Sequence, residues 1–301
     1  MLKEHILFAS ALTTLFTVCA CGDIDEADRI VEGATDRYDV VPKEMTIDVD
    51  GESFTVTDQH RLLITDFTGW SCVNCPAMAD YLTGKVTPNY ASVLVSLHMT
   101  TNSFSANHRN GYNCASADSI CNWINGGSAI ATQLSLPSVT IDNVAWNGEV
   151  FNSDTTQIGN LVVDRYTHFL LSNEVPVMIG INVKSVDADT YDISTLVSKA
   201  PGQLNLKLWL IEEGLITTYQ KSSKSPGFIM NYPNHGILRQ VINGSYEGQD
   251  VTLDDEGQAV VHTRLNISGK GYVPSNCRVV AIVTAVGSTE VLNCAEVALA
   301  E

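Results

Sequence analysis

Basic residues are scarce in this chain, which holds 17 lysines and arginines against 34 aspartates and glutamates among 301 residues. The net charge of -17 would repel phosphate backbones and anionic lipid headgroups. We therefore expect no nucleic-acid partner. Charged residues are few altogether, at 17%, whereas 45% of the residues are hydrophobic, so the chain can bury a sizeable core and is not a disordered tail.

A hydrophobic run long enough to span a bilayer is also missing. The apolar stretch 6–18 is too short to serve as such an anchor, and small residues follow it, which predicts an export leader over residues 1–20. Val18-Cys19-Ala20-Cys21 resembles a bacterial lipobox. The resemblance implies that Cys21 carries lipid and that the membrane is a partner through this lipid. An ordinary secretory leader cut near Ala20 is the alternative.

The segment after the lipobox, residues 21–36, is acidic and has few large apolar groups. Such a composition is typical of a solvated tether between a membrane and the first domain. Acidic residues just after a lipidated cysteine also resemble a surface-display signal of Bacteroidetes lipoproteins. We therefore predict a cell-envelope protein that is lipid-anchored at the outer membrane; display at the surface is one option, and the sequence leaves the membrane face open.

Cysteine usage suggests disulfides. With Cys19 removed and Cys21 acylated, six of eight cysteines remain, and an even set in an exported chain implies bridges. Proximity favours the pairs Cys72–Cys75, Cys114–Cys121 and Cys277–Cys294. The last pair brackets the two final predicted strands, whose antiparallel pairing would bring the sulfurs together. A zinc site built from the first four sulfurs is a weaker alternative, because the second spacing is too wide for a zinc knuckle; we predict no metal and no cofactor.

Hydrophobic periodicity changes near residue 175. Before it, an N-terminal hairpin is followed by alternating strands and helices, which predicts an α/β domain over residues 37–174. The polar segment 99–125, with Cys114 and Cys121, reads as an inserted loop. After the change, alternating strands separated by Gly, Pro, Asn and Asp turns predict an all-β, immunoglobulin-like sandwich over residues 175–301.

The sequence LITDFTGWSCVNCP, residues 63–76, ends an apolar strand in a Cys-x-x-Cys pair that opens a predicted helix. The helix N-terminus would favour a thiolate at Cys72, and Cys75, one turn later, would be the resolving partner. A bridge across so short a loop adds only about 2 kcal/mol of stability, which favours redox chemistry or ancestry as its reason. His98 ends the next core strand, where we expect its nitrogens to be satisfied by neighbours.

The same segment resembles the thioredoxin active-site pattern, in which an acidic residue six positions before the first cysteine is buried beneath the pair. Asp66 stands at that spacing, while the tryptophan of the family is displaced to Trp70. Pro137 would correspond to the cis-proline that faces the disulfide. The resemblance implies that Cys72 attacks a substrate disulfide, Cys75 resolves the mixed disulfide, Asp66 relays a proton through water, and Pro137 shapes the substrate groove.

The combination of lipobox, hairpin, Cys-x-x-Cys segment and a β-domain ending in EVLNCAEV resembles the thioredoxin-like outer-membrane lipoproteins of Bacteroidetes related to outer membrane protein 28. This resemblance implies the fold and the location. Two functions stay open. The first is a non-catalytic surface binding or structural protein with a surface ligand. The second is a thiol–disulfide oxidoreductase that acts on envelope proteins through Cys72 and Cys75, so we leave open whether the protein is an enzyme.

Overall fold

The computed structural model describes residues 42–171, 177–199 and 202–300. The predicted leader and the whole of the predicted tether, including Cys21, lie outside the described residues. None of the helices within these ranges combines the length and apolar character needed to cross a bilayer.

Strands dominate the described part of the chain. In the first half they are β1 (Glu44–Val49), β2 (Glu52–Thr57), β3 (Leu62–Thr68), β4 (Ser92–His98) and β5 (Ser138–Ile141). In the second half they are β6 (Met178–Ser185), β7 (Thr190–Ser198), β8 (Leu204–Glu212), β9 (Ile216–Lys221), β10 (Phe228–Pro233), β11 (Ile237–Val241), β12 (Gln249–Val251), β13 (Gln258–Asn266), β14 (Cys277–Ala285) and β15 (Val291–Ala298). The helices are α1 (Cys75–Tyr81), which continues into a π-helical turn (Leu82–Val86), α2 (Ala115–Ile124) and α3 (Thr155–Leu171), and a 3-10 turn (Pro274–Asn276) precedes β14.

One eight-stranded sheet runs across the boundary predicted near residue 175. Its order is β15-β14-β8-β11-β4-β3-β5, with β12 also paired to β8. β3 and β4 are parallel, β5 is antiparallel to β3, and β11 joins β4 in parallel where Ile237 lies opposite Ser96. The β-rich fold is confirmed, and the predicted division falls between strands of one continuous sheet.

Packing on both faces explains why β3 is apolar along its length. Leu63 and Phe67 point into a core shared with α2, whereas Leu62 and Ile64 point into a core shared with α1 and α3. A strand buried on both faces needs such a continuous apolar run. At the other end of the large sheet, β8 and β14 pack against the second sheet, β13-β7-β6, which gives the sandwich layers.

The segment 99–125 is not wholly a loop, because it contains helix α2. The buried residues of α2 are Ala117, Ile120, Cys121 and Ile124. Their spacing is that of an amphipathic helix, a pattern that the polar composition of the segment obscured.

Two of the three predicted disulfides are absent, since Cys114, Cys121, Cys277 and Cys294 are free and buried. Cys114 caps α2 and Cys121 lies two turns further, about 10 Å along the axis, whereas bridged Cα atoms lie about 4.4–6.8 Å apart. On β15, Cys294 lies opposite Ile282 rather than Cys277, which is about 16 Å away along the strand. Burial raises the pKa of both Cys121 and Cys277 to about 12, so these thiols stay protonated.

Candidate disulfide site

The Cys72–Cys75 disulfide lies at the junction of β3 and α1. The two sulfurs are 2.08 Å apart, and each cysteine is only 2% exposed. Cys75 is the first residue of α1, and Pro76, which needs no hydrogen-bond acceptor for its nitrogen, occupies the first turn. Asn74 caps this turn through its carbonyl, which accepts hydrogen bonds from Ala77 and Met78. The strand-to-helix placement thus follows from local sequence.

The polar segment before α2 covers one side of the disulfide loop. The carbonyl of Phe104 accepts hydrogen bonds from the backbone nitrogen and from the hydroxyl of Ser71, both at 3.0 Å. Trp70 donates from its indole nitrogen to the carbonyl of Ala106 at 3.0 Å. A Cβ at Gly69 would clash with the carbonyl oxygen of Phe104, so only glycine permits this approach.

The β9–β10 hairpin covers the other side. Gln220, which is buried, donates from Nε2 to the carbonyls of Gly69 at 3.1 Å and Cys72 at 3.2 Å. The backbone nitrogens of Lys221 and Ser223 donate to the carbonyls of Trp70 and Val73, at 2.9 and 2.8 Å. The hairpin therefore closes over the disulfide with four hydrogen bonds, and neither sulfur is presented to solvent.

This hairpin was missed in the sequence, although a signal for it is present. The turn Ser225-Pro226-Gly227 separates two short runs of β-branched and aromatic residues, a pattern typical of a hairpin. Nothing in that pattern indicates that the hairpin would pack on a segment about 150 residues earlier in the chain. Gln220 carries no motif by itself.

Asp66 lies on β3, six residues before Cys72. It is buried, its Oδ1 has no hydrogen-bond partner within the described residues, and burial raises its pKa to about 7. A cavity of about 10 Å³ beside it is also lined by Thr68, Ser96, Tyr232 and Asn234. That volume suits about one water molecule. The carboxyl group therefore has room beside it for one water molecule with which it can exchange a proton.

Pro137 is buried and directly precedes β5, and the Leu136–Pro137 peptide bond is cis. β5 pairs with β3 so that Ser138 lies opposite Phe67 and Val139 lies opposite Asp66. Pro137 therefore lies at the end of the sheet from which the disulfide loop departs.

His98 is not the satisfied strand-end histidine that we expected. It is buried opposite Thr68, and neither ring nitrogen has a hydrogen-bond partner in the described part of the chain. Burial, with smaller contributions from His108 and Arg239, lowers its pKa to about 3. A neutral imidazole supplies no positive charge to stabilise a thiolate at Cys72.

The described ranges contain no group of three or more His, Cys, Asp or Glu side chains arranged to hold a metal ion. The sulfurs of Cys72 and Cys75 are engaged with each other, and Cys121 is buried within the core that α2 shares with β3 and β4. The four sulfurs considered for zinc are thus not assembled into one site.

Comparison with known proteins places this geometry in context. The family model described as Outer membrane protein Omp28 matches residues 133–301, more than half of the chain. The match includes Pro137 and the β9–β10 hairpin but not the Cys72–Cys75 segment. No curated protein matches the sequence.

Solved structures of two proteins from Porphyromonas gingivalis are similar. HBP35 superimposes with a TM-score of 0.63 at 10% identity, over 81% of this chain and 77% of that chain, which shows a common fold. A domain of the outer membrane lipoprotein Omp28 matches with a TM-score of 0.28 at 16% identity, over 40% of this chain and 86% of that chain.

Proposed function

The chain belongs to the Omp28 family of outer membrane proteins, and from that premise we propose a lipid-anchored binding or structural protein whose Cys72–Cys75 disulfide is not turned over. The lipobox ending in Cys21 supports the anchor. A thioredoxin-like arrangement is supported by the parallel β3 and β4, the antiparallel β5, and the positions of Asp66 and Pro137. In this proposal the arrangement is an inherited scaffold for binding.

The burial of both sulfurs is the observation that carries the proposal. Thiol–disulfide exchange requires a thiolate to reach a sulfur of the disulfide. In this site the Gln220 contacts and the Phe104 loop enclose the pair, with each cysteine 2% exposed. The hairpin must open before exchange can begin.

The test is the rate at which a phosphine reduces Cys72–Cys75 in the native chain and in urea, followed by alkylation and mass spectrometry. We expect native reduction to be at least about a hundredfold slower, equivalent to an opening free energy of about 3 kcal/mol. Equal rates in the two conditions would contradict a closed site.

A second function, disulfide exchange on envelope proteins, is favoured by one observation. Asp66, with its pKa raised to about 7 and a water-sized cavity beside it, is suited to move a proton near neutral pH. If the pair is active, Cys75→Ser will trap mixed disulfides through Cys72 in envelope extracts, and Cys72→Ser will not. Trapped partners would replace the binding proposal with this one.

A further inference from the structure

The surface around the disulfide differs in charge from the chain as a whole. The segments that build it are residues 67–79, 99–117 and 214–234. None of these three segments contains an aspartate or glutamate, although the chain has 34 such residues. Asp80 directly follows the first segment and, after burial and together with Asp66, contributes to the raised pKa of Tyr232 on β10, so the acidic residues begin at the border of this surface. The three segments do contain Arg109, Lys221 and Lys224, all exposed. A cationic surface is therefore present on a protein whose net charge is -17.

Aromatic side chains lie between these cations. We define the basic aromatic face as Trp70, Val73, Phe104, Arg109, Tyr219, Lys221, Lys224, Phe228 and Met230. The Arg109 guanidinium lies over the Trp70 ring at 5.5 Å and over the Tyr219 ring at 5.1 Å. Tyr219 in turn stacks on Phe228, with 5.2 Å between ring centroids, so the side chains form one continuous surface.

Large apolar side chains of this face are exposed. Met230 is 57% exposed, and Phe104 and Val73 are 45% and 44% exposed. The backbone nitrogen of Ser71 donates to the Phe104 carbonyl, and that of Ser223, on the hairpin, donates to the Val73 carbonyl. Met230 lies opposite Tyr219 on the same hairpin. Several exposed apolar side chains on adjoining segments, bordered by charges, are typical of an interaction site, whereas a single exposed side chain is not.

The hairpin also presents a strand edge. β10 pairs with β9 and with no other strand in the described part of the chain. Its second edge can therefore pair with an added strand along Phe228–Met230, before the positive φ of Asn231 interrupts the extended backbone. Backbone pairing of this kind selects an extended peptide over a lipid surface, because lipid headgroups do not extend a sheet.

We propose that the basic aromatic face binds an extended acidic segment of a partner protein, which adds to the free edge of β10. Its apolar side chains contact Phe228 and Met230, and its carboxylates pair with Arg109, Lys221 and Lys224. This inference rests on the proposed function, because both require that the protein binds a partner. It does not depend on the redox state of Cys72–Cys75.

The probes are two labelled peptides of equal length, one alternating valine with glutamate and the other alternating valine with lysine. Fluorescence anisotropy with the full chain measures their binding. We expect the acidic peptide to bind at least about tenfold more tightly, with an affinity that falls as salt is added. Equal affinities would overturn the proposal.

Charge reversal locates the site. The triple variant Arg109→Glu, Lys221→Glu, Lys224→Glu should bind the acidic peptide with an affinity reduced by more than about tenfold. The matched control Lys43→Glu, Lys184→Glu, Lys270→Glu changes the net charge equally at exposed positions outside the face and should keep most of the binding. Equal losses in the two variants, with thermal unfolding of each unchanged, would overturn the proposal.

Other occupants are separate outcomes that would also overturn it. If phosphatidylglycerol vesicles bind through the three cations and the acidic peptide does not, the face is a membrane contact. If deletion of residues 22–36 raises peptide affinity strongly, the occupant is the acidic segment of this chain.

The double variant Cys72→Ser, Cys75→Ser should bind the peptide normally. If the peptide binds but the disulfide is reduced rapidly, only the proposal of a closed disulfide site is overturned. If the disulfide is reduced slowly but the peptide does not bind, only the inference of a peptide-binding face is overturned.

Discussion

Two buried aspartates close to β3 have opposite surroundings. Asp142, just after β5, accepts a hydrogen bond from the Leu63 nitrogen at 2.8 Å and contacts His60 at 3.0 Å and Arg165 at 3.3 Å. Asp66 has an Oδ1 without a partner among the described residues. A satisfied carboxylate stabilises the structure that surrounds it, whereas an unsatisfied one costs stability and needs another reason to be present.

The positions of the two aspartates match this contrast. Asp142 joins separate parts of the fold, because His60 precedes β3, Arg165 lies on α3, and the carbonyl of Asp142 accepts a hydrogen bond from Val291 on β15. Asp66 lies on β3, six residues before Cys72, and its Oδ1 makes no hydrogen bond to another element within the described residues. We infer that Asp142 is retained for stability and Asp66 for the chemistry or ancestry of the disulfide site.

The strongest test of the contrast removes the satisfied carboxylate. Asp142→Ala should lower the free energy of unfolding by about 3–5 kcal/mol, because it leaves Arg165 and the Leu63 nitrogen without their buried partner. Urea titration measures the change. Glu290→Ala is the control, since Glu290 contacts the same arginine at 3.0 Å but is half exposed, and it should cost at most about 1 kcal/mol. Similar losses of unfolding free energy in Asp142→Ala and Glu290→Ala would show that the buried carboxylate contributes no more than the half-exposed one.

Asp66→Asn should raise the free energy of unfolding, whereas Asp142→Ala should lower it. The folded-state pKa of about 7 lies above the ordinary aspartate pKa of 3.8, so between these values the unfolded chain loses its proton while the folded chain keeps it. Stability therefore falls as pH rises through this window, and the penalty is complete above it. The variant should be more stable than the parent at pH of about 8, by up to about 4 kcal/mol, and gain little at pH of about 4. Urea titrations at both pH values decide this, and a gain that does not depend on pH would contradict it.

Gln220→Ala should affect access to the disulfide more than global stability. Loss of the two hydrogen bonds from Gln220 to the Gly69 and Cys72 carbonyls should speed phosphine reduction of the native protein by about tenfold, equivalent to about 1.4 kcal/mol. Gln133→Ala, at an exposed turn, is the matched control and should leave the rate unchanged. An unchanged rate in the Gln220 variant would show that the hairpin does not control access.

The last prediction needs no substitution. A count of free thiols compares the Cys72–Cys75 disulfide with the four other cysteines of the described chain. In denaturant without reductant, the mature chain lipidated at Cys21 should show four titratable thiols, from Cys114, Cys121, Cys277 and Cys294. Reduction should add Cys72 and Cys75. Fewer than four thiols before reduction would restore one or both of the disulfides that we expected from proximity.

Local patterns in the sequence predicted part of the disulfide site. The Cys-x-x-Cys pair, the carboxylate six positions earlier and the proline before β5 are short-range signals, and Cys72, Cys75, Asp66 and Pro137 occupy the expected elements. The Cys277–Cys294 pair failed because strand register depends on cross-strand packing, which the sequence does not display. The cover formed by Gln220 was out of reach for a similar reason, since a hairpin's own residues do not say which distant loop it will pack on.

The reduction potential of Cys72–Cys75 tests the central claim, that the disulfide is closed and structural, most directly. It is measured in the full chain by equilibration in redox buffers, alkylation and mass spectrometry. The account predicts a potential below about -300 mV, as in structural disulfides of exported proteins. A potential above about -270 mV would mark a labile, exchanging pair and contradict the account.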